Sequence, residues 1–528
     1  MILVDTIAAI STAPGTGAIA IIRLSGKDAW KIASKIFEPG KSENKSENKS
    51  ENKRPEAGNA EQWTANRAMF GYLVDIQTRA HVDEVVLIPY KGPHSFTGED
   101  LVEVNCHGGA VVTREILNLC LAGGARLARP GEFTERAFLN GKIDLVQAEA
   151  INDLISAKTA RQSHLAVSAL KGDLGRKIHE TRASLIELLT RVNAGIDFPE
   201  EVGDIPLDDV SSKVSFAKTQ LEKLAATTRS GKFLREGLRL AIVGKPNAGK
   251  SSLLNQLLNF ERAIVTEIPG TTRDALEEVI DINGIPVILT DTAGIRYTED
   301  PVEQIGIERS IEAAEAADLV LFVCDLESEW SELDKLIVEM IGDKPFITLG
   351  NKMDVSPSHS TAFEETHQKP VVKVQEDPSD NRWALYKIAN TARPARAALR
   401  ERQPVVNEVA STQQPNMLED TKAASLRLTI SAKTGENLDK LSQWIEQWSL
   451  SAQNPEETGG SLNARQGELC IKTIAALNLV LETVKSDMPQ DCLATDLKSA
   501  IDNLSEVCGE LVSEEVISNI FATFCIGK

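Results

Sequence analysis

The sequence predicts a multi-domain chain of mixed α/β and α+β type. It has an N-terminal α+β domain, a central all-α domain, and an α/β domain inserted between the two halves of the helical one. Three observations carry this. The 528 residues exceed the roughly 250–300 at which a single core stops growing. The spacing of apolar residues switches from strand-like to helical, then to strand–helix alternation, then back to helical. A glycine-rich loop of phosphate-cradling form stands between a strand and a helix, where an α/β sheet would hold it.

The N-terminal domain is expected over 1–130. There "TIAAIST", "AIAIIRL", "EVVLIPY" and "LVEVNCH" are short apolar or alternating runs bounded by turn residues. Inside it, "KSENKSENKSENK" repeats a four-residue unit without an apolar side chain, so a disordered surface insertion is expected. The helical domain is expected over 131–235 and 456–528, where apolar residues recur at spacings of three and four. The inserted domain is expected over 236–455, with "LRLAIVG", "IPVILTDT", "DLVLFVCD" and "PFITLGN" as buried parallel strands. The stretch 355–425, rich in Pro, Gln, Ser and charge, reads as an extended insertion within it.

Composition narrows the class. With 42% hydrophobic and 25% charged residues the chain reads as soluble and globular. A net charge of -20 argues against non-specific nucleic-acid binding, so any RNA contact needs a local basic patch. Seven cysteines without a CxxC pair suggest neither a disulfide framework nor a zinc site, and a reducing cytoplasm fits best. The N-terminus lacks a signal-peptide layout, and no uncharged apolar run reaches about 18 residues, so no membrane contact is expected.

"GKPNAGKS", Gly244 to Ser251, fits G-x-x-x-x-G-K-[ST]. Backbone N–H groups there wrap phosphate oxygens, and the following helix N-terminus adds a favourable field. Lys250 would reach the β- and γ-phosphates, and the Ser251 hydroxyl would ligate Mg²⁺. "DTAG" (Asp291, Thr292, Ala293, Gly294) and "NKMD" (Asn351, Lys352, Asp354) each end a strand, and "SAK" (Ser431, Ala432, Lys433) follows "LRLTI". A carboxylate at Asp354 can accept guanine N1–H and N2–H, which adenine cannot offer. The order and strand-end positions of these motifs point to a Ras-like P-loop GTPase domain with GTP as ligand. Between the P-loop and DTAG lies "TEIPGTTRD", with Thr272 as the second Mg²⁺ ligand. Ile295 occupies the position where Ras-like enzymes carry a water-orienting glutamine, so the water must be held otherwise. Glu303 in "VEQIGIER" is a candidate, against the plainer reading of a solvated helix-start glutamate.

Taken together, "GKPNAGKSSLLN", "PGTTRD", "DTAGIR", "IGIERS", "RPGEFTERAFLNGKIDL" and the terminal "FCIGK" resemble the MnmE (TrmE) family of tRNA-modification GTPases over nearly the whole chain. The resemblance implies an N-terminal folate-binding, dimer-forming domain, a homodimer, and a flavin-containing partner of MnmG type. Together they would modify C5 of the wobble uridine of certain tRNAs. The one-carbon unit would come from a tetrahydrofolate derivative (5-formyl- or methylene-tetrahydrofolate). It further implies GTP hydrolysis activated by K⁺ between paired G domains. On this reading Asn247, Thr266, Ile268 (through its carbonyl) and Thr271 hold K⁺, and Glu303 orients the water. The GTP-binding set runs through Asn247, Ala248, Gly249, Lys250, Ser251 and Ser252. It continues through Thr266, Glu267, Ile268, Pro269, Gly270, Thr271 and Thr272. Arg23, Glu84, Lys528 and a basic residue of "GARLARPGEF", Arg126 in preference to Arg129, would contact folate. Cys525 is either a nucleophile toward uridine C6 or a positioning residue. The rival readings are a ribosome-assembly or signalling GTPase without RNA chemistry, and a folate enzyme with a regulatory G domain acting alone. "RPARAALRER" within the long insertion could offer an RNA-binding patch, although a solvated helix face accounts for it as well.

Overall fold

The computed structural model describes residues 5–40, 60–202, 205–260, 278–289, 313–342, 344–356, 363, 426–450, 460–486 and 490–528. The chain divides into two compact units, Met1–Arg235 with Leu450–Lys528, and Glu236–Ser449.

The first unit opens with β1 (Ile7–Ile10), β2 (Ile19–Ser25), α1 (Ala29–Ile36), β3 (Phe37–Pro39), β4 (Met69–Val74), β5 (His81–Tyr90), β6 (Leu101–His107), α2 (Ala110–Ala122) and β7 (Arg126–Leu127). The strands form one sheet of order β3-β4-β5-β6-β2-β1-β7. It is antiparallel except where β1 meets β7. Side chains alternate as strand geometry requires. Ala20, Ile22 and Leu24 of β2 and Val102, Val104 and Cys106 of β6 turn inward, onto Ala29, Ile32 and Ile36 of α1 and Ile116, Leu119 and Cys120 of α2. Arg23, Glu103, Asn105 and His107 take the opposite face.

Helices α3 (Glu132–Leu139), α4 (Leu145–Ser156), α5 (Ala160–Leu170), α6 (Asp173–Asp197), α7 (Pro199–Val202) and α8 (Leu207–Glu236) follow. Capping boxes start α4 (Asp144 with Gln147) and α5 (Thr159 with Gln162).

The second unit contains β8 (Leu238–Gly244), α9 (Lys250–Phe260), β9 (Glu278–Ile282), β10 (Ile285–Leu289), β11 (Leu319–Asp325), α10 (Glu332–Ile341), β12 (Phe346–Asn351), β13 (Leu426–Thr429) and α11 (Leu438–Ser449). Its sheet order is β13-β12-β11-β8-β10-β9, parallel apart from the β9–β10 hairpin. Asn283 and Gly284, both at positive φ, close that hairpin.

The chain then returns to the first unit as α12 (Ala464–Lys485), α13 (Gln490–Cys508) and α14 (Glu514–Ala522). Leu469, Leu477 and Val480 of α12 and Leu497 and Leu504 of α13 share one core with Leu185, Val214 and Leu221 from the earlier helices. Arg235 fastens the crossover. Its Nε lies 2.7 Å from Asp153 Oδ2, and its guanidinium also bonds the Ser461 carbonyl. The last residues fold back onto the sheet portion. Ile526 bridges Pro130, and the Gly131 and Phe133 N–H groups donate to the Cys525 and Lys528 carbonyls, each at 3.3 Å. Sheet and helices, separate domains by sequence, therefore share one compact unit. Among the described residues no helix is long and apolar enough to cross a membrane.

Candidate functional site

The glycine loop leaves β8 where it runs beside β11. Gly244 has φ +153°, and a Cβ there would collide with the Val323 carbonyl of β11. Gly249 has φ +96°, and its missing Cβ leaves room for the Asn351 side-chain amide. Only glycine permits both approaches. The loop opens α9 at Lys250, so its backbone N–H groups and the helix N-terminus face the same space. Lys250 Nζ donates to the Gly244 and Lys245 carbonyls, at 2.8 and 2.7 Å. Burial lowers its pKa from the usual lysine value, and an incoming phosphate would oppose that by favouring the charged form.

The segments Asn351–Asp354 and Ser431–Lys433 meet because β12 and β13 are neighbours. Asn351, buried at the end of β12, donates from Nδ2 to the Ala248 carbonyl at 2.8 Å and accepts the Ala432 N–H at 2.8 Å. Ser431 Oγ donates to Asp354 Oδ1 at 2.8 Å and fixes the carboxylate's rotation. Lys352 lies 2.5 Å from Asp325 Oδ2, and that hydrogen bond raises the Lys352 pKa. Asn247 is exposed at φ +63°, while Ser251, Ser252 and Lys433 are exposed. The structure thus brings the phosphate loop, Asn351, Asp354 and the Ser431–Lys433 loop into one constellation. Thr266 to Thr272, Asp291 to Gly294, Glu303, the "KSEN" repeat and nearly all of 355–425 lie outside the described residues.

The folate candidates are more dispersed. Arg23 pairs with Glu103 at 2.7 Å and stacks over Phe96, 5.3 Å from the ring centroid. Tyr90 donates to the same Glu103 at 3.3 Å. Arg23 faces Glu103, and Glu103 faces Ile88 of β5. Glu84, exposed, lies four residues before Ile88 on β5, about 13 Å along the strand direction. Arg126 is held by Glu132 at 2.6 Å and Asp5 at 2.8 Å. Arg129 pairs with Glu135 at 2.8 Å, lies 3.6 Å from Glu132 and is half exposed. Cys525 is exposed, and the Lys528 backbone is fixed to α3 as described. Sequence reasoning missed Glu103, Tyr90 and Phe96. Alternation along β5 and β6 put two of them on Arg23's face, but pairing order was needed to make them neighbours.

Comparison with known proteins settles the family. A model described as the MnmE helical domain matches residues 145–525, and one described as the GTP-binding protein TrmE N-terminus matches 6–142. The chain belongs to the MnmE family. The tRNA modification GTPase MnmE of Clostridioides difficile is 39% identical over 534 residues, covering 100% of both chains. That of Ligilactobacillus salivarius is 38% identical over 527 residues, covering 99% of this chain and 98% of its own. The chain is accordingly a GTP hydrolase of tRNA modification.

Proposed function

We propose that the chain is a K⁺-activated GTPase, active as a homodimer. With an MnmG-type flavoprotein it modifies C5 of the wobble uridine of certain tRNAs. The docked tail is the observation that carries this reading. Cys525 and Lys528 are bonded through their carbonyls to Gly131 and Phe133, in the unit that also holds Arg23 and Glu84. A GTPase acting only as an assembly switch has no need of an exposed thiol on a tail docked in this way. A tetrahydrofolate derivative, when bound, supplies the one-carbon unit. Arg23 suits its glutamyl tail and Glu84 its pterin N–H donors.

In the G domain, Lys250 and the loop amides take the phosphates. Ser251 and Thr272 ligate Mg²⁺, and Asp354 reads guanine. Asn247 stands at an exposed corner of the loop. Its side-chain carbonyl is the kind of oxygen a hard cation takes, and with Thr266, Ile268 and Thr271 it would hold K⁺ near the phosphates. Glu303 orients the attacking water.

Two measurements test the proposal. GTP turnover of the full chain is expected to be high in KCl and low in NaCl; equal rates would sink the K⁺ reading. Mass spectrometry of tRNA from a deletion strain is expected to show an unmodified wobble uridine, restored by the wild-type chain. Restoration by Cys525→Ser as well would leave Cys525 a positioning role only.

A further inference from the structure

The second residue of the phosphate loop, Lys245, has no part in the reading above. Its side chain leaves the loop for the start of α10. Lys245 Nζ lies 2.5 Å from Asp334 Oδ2 and 3.1 Å from Ser331 Oγ. Asp334 is 1% exposed. The same Oδ2 accepts the Ser331 N–H at 2.8 Å and the Ser331 hydroxyl at 2.9 Å, forming the cap of α10. Asp334 Oδ1 is buried without a hydrogen-bond partner.

Capping alone does not call for this charge. A neutral amide oxygen at the same position would accept the Ser331 N–H, and a buried carboxylate with one oxygen unpartnered is costly. A contacting cation offsets that cost, and Lys245 is in place to do so. Lys245 is in turn tied to the chemistry through its own backbone. Its carbonyl accepts from Lys250 Nζ at 2.7 Å and from the Ala248 N–H at 3.3 Å. One residue thus has its side chain fixed to α10 and its carbonyl fixed to the phosphate-binding lysine and the turn of the loop.

We propose that Asp334 is a positioning residue for nucleotide binding: through Lys245 it holds the phosphate loop in its binding curl before the ligand arrives. The proposal rests on the reading of Gly244–Ser251 as the phosphate site. A preformed loop spares the ligand the cost of ordering it. The gain is shared by ground state and transition state, so its loss raises KM far more than it lowers kcat.

The test is titration of the full-length chain with a fluorescent GDP, plus GTP steady-state kinetics and thermal melts. Wild type, Asp334→Asn, Lys245→Met and the double variant are compared. Asp334→Asn keeps shape and removes charge. It is expected to weaken GDP binding and raise KM for GTP about tenfold, the lower end for a lost charge-assisted hydrogen bond, with a much smaller fall in kcat. The double variant should bind no more weakly than the weaker single one. Wild-type GDP affinity in Asp334→Asn, whatever its melting temperature, overturns the proposal. So does an additive loss in the double variant, since the two residues would then act separately. Wild-type chain that fails to bind GDP would instead overturn the phosphate-site reading itself.

Discussion

Asn351 donates from its side-chain amide to the Ala248 carbonyl at 2.8 Å, joining the end of β12 to the phosphate loop. Its other side-chain atom accepts the Ala432 N–H, so one buried residue clips together three segments that are far apart in sequence. Asn351→Ala leaves the buried Ala248 carbonyl and Ala432 N–H without those partners. Each such orphan costs about 1–3 kcal/mol. The expected result is a lower melting temperature for the G domain and GDP affinity reduced by about tenfold or more. Calorimetry and nucleotide titration measure the two separately.

Asp354 is held by Ser431 Oγ at 2.8 Å, so on the proposed reading its carboxylate presents a fixed acceptor pair to guanine. Asp354→Asn replaces one acceptor with a donor. Guanine N2–H then meets an N–H group, whereas xanthine offers a carbonyl at that position. GTP binding should fall by about a hundredfold and XTP should become the better ligand, since a site built for one hydrogen-bonding pattern rejects its complement strongly. Competition of XTP and GTP for the variant decides it. A variant still preferring GTP would show that the base is read elsewhere.

The meeting of the glycine loop with Asn351 and Ser431 was legible in the sequence because each of these motifs is short and ends a strand. Once the strands are parallel neighbours, their ends must converge, and Gly244, Asn351 and Ser431 do so. Strands β3 and β4 were not foreseen. "MFGYLV" carries Gly71 in its middle, which weakens a strand pattern; here its missing Cβ admits the Glu38 carbonyl of β3. Partnerships between charged side chains were also not legible. Arg126 is bound to Asp5 and Glu132, and Arg129 to Glu132 and Glu135. Sequence separation from Asp5 gave no hint of that pairing. The pairing of Lys245 with Asp334 was hidden for the same reason.

Gly527 fixes the tail. It has φ +92°, and a Cβ would collide with the Ile10 carbonyl. Gly527→Ala adds that clash to a left-handed backbone costing about 1–3 kcal/mol, enough to release a segment held by a few backbone bonds. Hydrogen exchange of the last turn of α14 and the residues after it should quicken, and wobble-uridine modification should be lost while GTP turnover persists. Unaltered exchange with full modification would show that the docked tail is not needed.

Arg136 of α3 has its side chain fully buried, 2.7 Å from Asp5, 3.1 Å from Glu99 and 3.0 Å from Glu132. Burial pushes the Glu132 carboxyl up, but hydrogen bonds from Arg126, the Arg129 backbone and Arg136 prevail and hold it below its ordinary value of 4.5. A carboxyl with a depressed folded-state pKa contributes stability that is present above its unfolded value and lost as pH falls through the folded one. The wild-type contribution should therefore be complete at neutral pH and decline below about 4.5. Arg136→Met removes the cation shared by Asp5, Glu99 and the buried Glu132, and leaves Glu132 with Arg126 as its remaining guanidinium partner at hydrogen-bond distance, a loss of about 3 kcal/mol at neutral pH, the lower end for a broken buried pair. In that variant protonation relieves the buried charge, so its deficit against wild type should shrink on acidification. Denaturant melts of both proteins at pH 7.5 and 4.5 measure the gap. An equal deficit at the two pH values would mean that Arg136 acts by packing, not by charge.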